Sequence, residues 1–448
     1  MRNVFFIFYS VILLSGCGKI FTGYEEELSE YNFVYIQNNC SSVFIEKMID
    51  SGSDLLLWSE LGGSLKRKCK DYEASNHYFD RAEKYYKEEV DLENFGEKTL
   101  KSVGTILTNE NLTDYHGNVF EAIMVNTYKG LNFMSLGKQD LARVEFNRAL
   151  DRQRRAKLLF KSQIERKQKE LEEKEREKNS LADREKTFDF VKESYERGLF
   201  YNFQAYPDFV NPFTTYMAAL FALSSNDYEK ARYLFRESMA MDPENEFITD
   251  DFQLADKWMR AGQGEKKYIW LIYENGKNLR KDEVRIDIPV FLVSDKVFYA
   301  QIVLPTLREQ PDSYTFLTLN ANRTRMIADM DRIVKTEFKN KLPLVLLKAV
   351  TQTITKAVIE ASMSSKDELL GIGAELYNIL TSRADVRSWV SLPKNFQAVR
   401  VENTGKGAII QTDTKEVLES IDIAKDKNVI LYLSSSVPGF YVLHTILF

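Results

Sequence analysis

A small residue, a phenylalanine four positions later and a second small residue three beyond that recur three times in this chain. The sets are Ser75, Phe79 and Ala82; Ala142, Phe146 and Ala149; and Ala231, Phe235 and Ser238. Steps of four and three lie on one face of an α-helix. There the small side chains let a second helix approach closely, and the phenylalanine fills the groove between the two. Each set follows a polar turn: Asp71-Tyr72-Glu73, Gly137-Lys138-Gln139-Asp140 and Asn226-Asp227-Tyr228-Glu229. Upstream of the turns, Gly63, Gly130 and Ala219 supply the small position of a first helix, with Tyr128 and Phe133 flanking Gly130. The pattern predicts three antiparallel helical hairpins, of which the first is the weakest because Lys66 stands where an aromatic is usual.

This arrangement resembles the tetratricopeptide repeat, whose second helix carries the same small–Phe–small face. The repeats are not in tandem: from Ala142 to Ala231 is about 89 positions, against roughly 34 in a tandem array. Asp151 to Lys186 fills much of that gap with Lys, Arg, Glu and Gln, without Pro or Gly. High helix propensity and opposite charges four apart, such as Glu165 with Lys169, predict a long charged helix over 151–186. Its apolar positions are too sparse for sustained heptads. It reads as a solvated extension of the second hairpin rather than a coiled-coil partner surface.

Beyond Gly262 the periodicity changes. Tyr268–Tyr273, Val284–Val293 and Lys296–Leu304 are rich in β-branched and aromatic residues and read as strands. Helix is expected again over 323–382: Arg323–Asn340, a second helix opened by Pro343 with an apolar stripe at Leu344, Leu347, Val350, Ile354, Val358 and Ala361, and a third over 367–382. Five short strands then run from Phe396 to Phe448. The expected fold class is α+β. A tetratricopeptide-like helical domain (31–262) precedes a small antiparallel β-sandwich (268–448) that the helical insertion 323–382 interrupts.

The amino terminus predicts export. Arg2 is followed by an apolar stretch, Val4–Leu14, too short to cross roughly 30 Å of hydrocarbon as a helix. Such a stretch suits the central region of a signal peptide over 1–16. Leu14-Ser15-Gly16-Cys17 resembles the bacterial lipobox, which implies acylation (palmitate-type chains) at Cys17 and a tether over 17–30. Gly18 rather than Asp after the cysteine points to the periplasmic side of the outer membrane, with inner-membrane retention the alternative. In that compartment Cys40 and Cys69 can pair as a disulfide or stay separate thiols.

Further stretches resemble a family of proteobacterial lipoproteins with tetratricopeptide-type helices and no assigned activity. They are Asp114-Tyr115-His116-Gly117 with Glu121; Tyr128-Lys129-Gly130-Leu131-Asn132; Arg143-Val144-Glu145-Phe146 with Arg148-Ala149-Leu150-Asp151-Arg152-Gln153; Asn211-Pro212-Phe213; and Asp385-Val386-Arg387-Ser388-Trp389 with Leu392-Pro393. The resemblance implies export, a helical front and a β-rich end, and it implies no catalysis.

The residues point to binding rather than chemistry. His77, His116 and His444 are far apart, and neither nucleophile, phosphate-loop nor zinc spacing occurs. No catalytic residue, metal site or cofactor is expected. His116 beside Asp114, Tyr115 and Glu121 reads as a turn, with Asn111 or Asp114 capping a helix from Val119 and Gly117 forming the bend. A net charge of −5 argues against nucleic acid as a general partner. The expected function is a membrane-anchored scaffold or adaptor for an envelope protein, in envelope assembly or regulation. Thr127, Asn132, Thr215 and Tyr216 are its candidate groove residues, on the first helices of the second and third hairpins. The alternative is cell-wall or glycan binding, or less readily glycan processing, by the β-rich part, with Trp389 or Tyr441 as a stacking platform. Partner identity and oligomeric state are not legible in the sequence.

Overall fold

Glycine meets phenylalanine where the spacing requires it. In the computed structural model, which describes residues 24–87, 114–178, 184–199, 204–206, 210–241, 246–291, 297–364 and 384–448, a Cβ on Gly63 would stand 2.3 Å from the Phe79 ring. One on Gly130 would stand 3.0 Å from Phe146. These contacts join α3 (Leu55–Lys68) to α4 (Tyr72–Tyr85) and α5 (Val119–Ser135) to α6 (Gln139–Lys178). The third hairpin is α8 (Pro212–Ser224) with α9 (Tyr228–Met241), where Phe235 packs edge-on against Tyr216. Two helices precede them, α1 (Glu25–Ile36) and α2 (Val43–Asp50); α7 (Arg184–Leu199) and α10 (Glu246–Ala261) complete the helical part.

The starts of these helices are chemically marked. Asp71 accepts from the Ala74 amide at 3.2 Å, and Asn211 accepts from the Thr214 amide at 3.1 Å with Pro212 in the first turn. The cap of α5 is Asn118, not Asp114; Glu121 accepts from the Asn118 amide at 2.7 Å, the reciprocal half of a capping box. Asn111, the other expected cap, lies outside the described residues, as do the signal peptide and Cys17. Of the tether expected over 17–30, the part from Glu25 on is already helix. Within the charged segment, the helix is continuous with the second hairpin and ends at Lys178 in the described residues; a new helix begins at Arg184.

The strands are β1 (Tyr268–Asn275), β2 (Arg280–Phe291), β3 (Val297–Arg308), β4 (Leu317–Leu319), β5 (Asn322–Arg323), β6 (Arg325–Asp329), β7 (Asn395–Glu402), β8 (Ala408–Thr412), β9 (Val417–Ile421), β10 (Val429–Val437) and β11 (Phe440–Leu447). They form a five-stranded sheet in the order β11-β10-β1-β7-β6, a four-stranded sheet β5-β4-β8-β9 and the hairpin β2–β3. The expectation of antiparallel pairing throughout is corrected at the centre: β1 runs parallel to β10, with Ile269 opposite Val429. The near-continuous apolar run of β1 suits such a strand, buried on both faces.

Each face of the five-stranded sheet has its own neighbour. Ile269, Leu271, Val429 and Leu431 pack on Leu317, Leu319 and Ile410 of the four-stranded sheet. Trp270, Ile272, Phe396, Ala398 and Tyr432 pack among the helices, where Phe213 of α8 stacks on Phe396 at 3.5 Å between ring centres. The boundary near 262–268 therefore separates kinds of element but not cores.

The insertion also differs from expectation. Residues 322–329 are strand, and a single helix, α11 (Met330–Ser364), contains Pro343 instead of starting at it. A proline there removes an amide that would bond the carbonyl four residues back. Leu342, Leu346, Val350 and Ile354, packed on Ile288, Ile302 and Leu304 of the β2–β3 hairpin and on Val191 and Tyr195 of α7, hold the helix across it. The helix expected over 367–382 lies outside the described residues. Among the described residues, no helix is long and apolar enough to cross a membrane.

Cys40 and Cys69 are bonded, tying the loop before α2 to the end of α3 across 29 positions. Chain-entropy arguments assign a bridge of that span about 3–4 kcal/mol. Reduction, or Cys40→Ser, is expected to lower the unfolding free energy by about 2–4 kcal/mol in urea titrations run with and without reductant. An unchanged midpoint would show that the bridge is absent in solution.

Candidate functional site

Asp54 closes the N-terminal end of α3 in a left-handed backbone conformation, φ +54°. Its Oδ1 accepts from the Tyr115 amide at 2.9 Å and pairs with Arg387 Nη1 at 2.5 Å. Arg387, only 1% exposed, also forks onto Asp385, Nε to Oδ1 at 2.8 Å and Nη2 to Oδ2 at 2.9 Å. Burial alone would raise the Asp385 carboxyl, but the Arg387 fork outweighs it and holds the group low.

Glu121 extends the cluster, accepting from the Tyr115 hydroxyl at 2.8 Å and from the Trp389 amide at 3.2 Å. Trp389 Nε1 donates to Ser64 Oγ at 2.7 Å. From α11, Glu337 accepts the Val119 and Phe120 amides at 3.0 and 3.1 Å and pairs with Lys341 at 2.6 Å. Burial, then the nearby Glu121 charge, pushes Glu60 well above the usual carboxylate range, and the Tyr86 hydroxyl bonds to it.

Two motifs more than 260 positions apart, Asp114–Gly117 with Glu121 and Asp385–Trp389, thus meet in one buried knot. Amides, hydroxyls and guanidinium engage its carboxylates, with Glu60 Oε2 buried and, among the described residues, left without a hydrogen-bond partner. Such a knot can fix the 384–392 segment onto the helices. His116 sits outside it, exposed.

The four expected groove residues are corrected to core. Thr127 shares a hydrogen bond of 2.8 Å with Thr214, and Asn132 bonds Arg67, Ser75 and Asn76. Thr215 accepts from Gln153 at 3.0 Å, and the Tyr216 hydroxyl donates to Asp251 at 2.6 Å. All four are fully buried. The reason is tertiary: the inner face of the hairpins is covered by neighbouring helices and by the chain's own sheet, with Tyr128 of α5 donating to Glu274 of β1 at 2.6 Å. Of the two aromatics offered as a platform, only Tyr441 reaches the surface, in a pocket it lines with Glu419, Leu443 and Thr445. Trp389 is fully buried, and Tyr441 is partly buried with its hydroxyl on the Leu418 carbonyl at 2.5 Å. His444 is buried against the Tyr72 hydroxyl at 2.7 Å; burial, then Arg67 and Lys70, lower it well below the ordinary histidine value.

An open concavity lies elsewhere. Where β5 passes into β6, both sheets reach the same corner, and a cleft of about 750 Å³ opens beside β7. Its floor is polar. Thr324, Asn395 and Gln397 are buried; the Thr324 hydroxyl donates to Gln397 Oε1 at 2.6 Å, and Asn395 Nδ2 donates to Asp312 at 2.9 Å. Arg323, Arg325 and Arg400 line the cleft together with Asp250 and Asp312. Arg400 is paired with Asp251, while Arg323 lies over the Phe316 ring at 3.9 Å. Comparisons with protein-family models, curated proteins and solved structures give no match for this chain.

Sequence reasoning missed the cleft. Its one legible signal is alternation: Asn395 and Gln397 put amides on a strand face that Val399 continues as apolar. Asp54 and Glu60 of the knot carry no local signal at all.

Next to the cleft, Asp331 at the start of α11 accepts the Leu279 amide at 3.0 Å and faces Lys394 at 3.3 Å. Burial outweighs Lys394 and raises it from 3.8 to about 7. The folded chain therefore holds a proton that the unfolded chain releases near 4. That contribution is complete below the unfolded value and is lost as pH rises through about 7. Asp331→Asn is expected to raise stability at pH 8 by up to about 4 kcal/mol and to leave it unchanged near pH 4. A gain independent of pH in thermal melts would refute the assignment.

Proposed function

We propose that the chain is a lipid-anchored envelope protein that binds a partner and performs no chemistry, with the β5–β7 cleft as its recognition surface. In this reading Cys17 carries the acyl chains at the periplasmic face of the outer membrane. The three hairpins, packed small residue against phenylalanine as in tetratricopeptide repeats, are its support. One observation carries the reading: the inner face of the hairpins is occupied by the chain's own sheet, whereas the cleft is open, concave and lined by charge and amides. Pockets of this volume suit ligands the size of a few residues. The two packed sheets, read as a mixed rather than antiparallel sandwich, present that cleft at their shared edge. Adaptor function through the helical groove gives way to adaptor function through the β-rich part.

A photo-crosslinking residue at Met326 in the cleft, with one at exposed Tyr233 on α9 as control, tests this in intact cells. The expected result is a discrete adduct from position 326 only, with Cys17→Ala moving the protein out of the membrane fraction and abolishing the adduct. Adducts from 233 but not 326 would return recognition to the helical face.

A further inference from the structure

We propose that the cleft takes an acidic peptide segment of a partner protein, with carboxylates on Arg323 and Arg325 and the peptide's amides over the Asn395–Gln397 floor. The inference rests on the cleft being the recognition surface and names what it recognises.

Charge is the first argument. Among the described residues, Arg325 makes no ion pair, and Arg323 is engaged only by the Phe316 ring, which covers one face of its guanidinium. Other cations are ion-paired: Arg387 by two aspartates, Lys129 by Glu83 and Glu145, Arg400 by Asp251. Thr324 separates the two arginines and turns inward onto Gln397, so alternation sends both away from the floor on the same side. Two exposed guanidiniums on the rim of a concavity, neither held by an acidic side chain among the described residues, suit carboxylate, which a guanidinium can grip through parallel N–H bonds.

The floor is the second argument. The face of β7 that looks toward the four-stranded sheet is apolar at Val399, yet it changes to Gln397 and Asn395 within four residues. Burying amides and a hydroxyl between sheets is costly unless they are bonded, and an apolar face would avoid the cost. Here they are bonded to one another and to the Thr315 carbonyl, Asn275 and Asp312, which makes the floor a fixed polar surface over which a peptide backbone can lie.

Two features favour peptide over saccharide. Among the described residues no aromatic side chain lines the cleft, so none of them gives a sugar ring a stacking face. In addition β6 is the edge strand of its sheet, and its first residues, Arg325 and Met326, are exposed, Met326 by 44%. An edge offers backbone groups to an extended segment, and Met326 offers an adaptable apolar contact. Asp250, beside Arg400, and Asp312, bonded to Asn395, also line the cleft and repel carboxylate, which directs the segment's acidic residues to Arg323 and Arg325.

The test is fluorescence anisotropy with the full chain in detergent micelles and labelled hexaglutamate, beside hexaglutamine and tetragalacturonate. Hexaglutamate is expected to bind, weaken with salt, and lose about tenfold in affinity in Arg323→Gln and again in Arg325→Gln. Both arginines are exposed, so an unchanged melting midpoint certifies folding. Hexaglutamate binding equally to both variants, or not at all, overturns the proposal. Preferential binding of tetragalacturonate also overturns it, assigning the arginines to an acidic saccharide. If position 326 still crosslinks in cells while hexaglutamate fails, the ligand class is wrong and the cleft stands. If both fail, the underlying reading falls as well.

Discussion

Trp389→Ala is expected to destabilise the chain by about 3–5 kcal/mol, the range for emptying a fully buried tryptophan site. The indole is packed against Phe79 at 5.7 Å and Tyr128 at 5.9 Å between ring centres, and it donates to Ser64. Alanine leaves a void bordered by the first two hairpins and by the segment that leads into β7. Because helices and sheet share this core, the loss is expected to appear as one urea transition, moved to lower midpoint with unchanged slope, by far-UV and near-UV dichroism alike. Two separated transitions would mean that the helical and β-rich parts unfold independently, contrary to the continuous core. Trp389→Phe, which keeps the ring contacts and drops the bond to Ser64, is expected to lose a smaller part.

Arg387→Met is the second large effect, also about 3–5 kcal/mol, because it leaves carboxylates buried without their counter-charge. Asp54 is only 1% exposed and Asp385 is half-buried, so neither regains full hydration in the native state. The pH dependence identifies the cause. In the parent chain Asp385 is held low, so its contribution is present above its ordinary value and lost only as pH falls through the depressed one. Without Arg387 the same carboxyls favour protonation, and acidification from pH 7 to 5 is expected to narrow the gap between variant and parent. Adding Asp54→Asn and Asp385→Asn, with Asn compatible with the left-handed backbone at 54, is expected to recover more than half of the loss. A gap that neither narrows with acid nor responds to those replacements would assign the effect to packing around Tyr24 and Tyr115, over which the guanidinium lies at 5.3 and 5.7 Å.

The part of this fold that was legible is the local part. Phe79, Phe146 and Phe235 announce their helices through spacing that one helix face imposes, and the change after Gly262 marks the strands through their β-branched and aromatic content. What escaped depends on residues distant in the chain. Nothing near Tyr268 indicates that β1 will lie parallel to a strand 160 positions later. Pro343 ordinarily opens a helix, and only packing on the β2–β3 hairpin carries the helix through it. Thr127 and Tyr216 occupy the positions a groove residue would hold, but Thr214 and Asp251 reach them first. The motifs at 114–121 and 385–389 were visible as words, while their meeting around Arg387 was not. The cleft was visible only as two amides at alternate positions.

The parallel pairing of β1 with β10 has a consequence for the order of events in the cell. The middle strand of the main sheet emerges from the ribosome with β7 more than a hundred residues behind it and β10 later still. One of its hydrogen-bonding edges is covered by β7, and the other waits for β10. Pairings this distant in sequence form slowly, since a long loop must close before any contact rewards it. Deletion of the final strand pair would strip β1 of its parallel neighbour and leave it bonded to β7 alone, so the sheet is completed only when the most distant of its pairings forms.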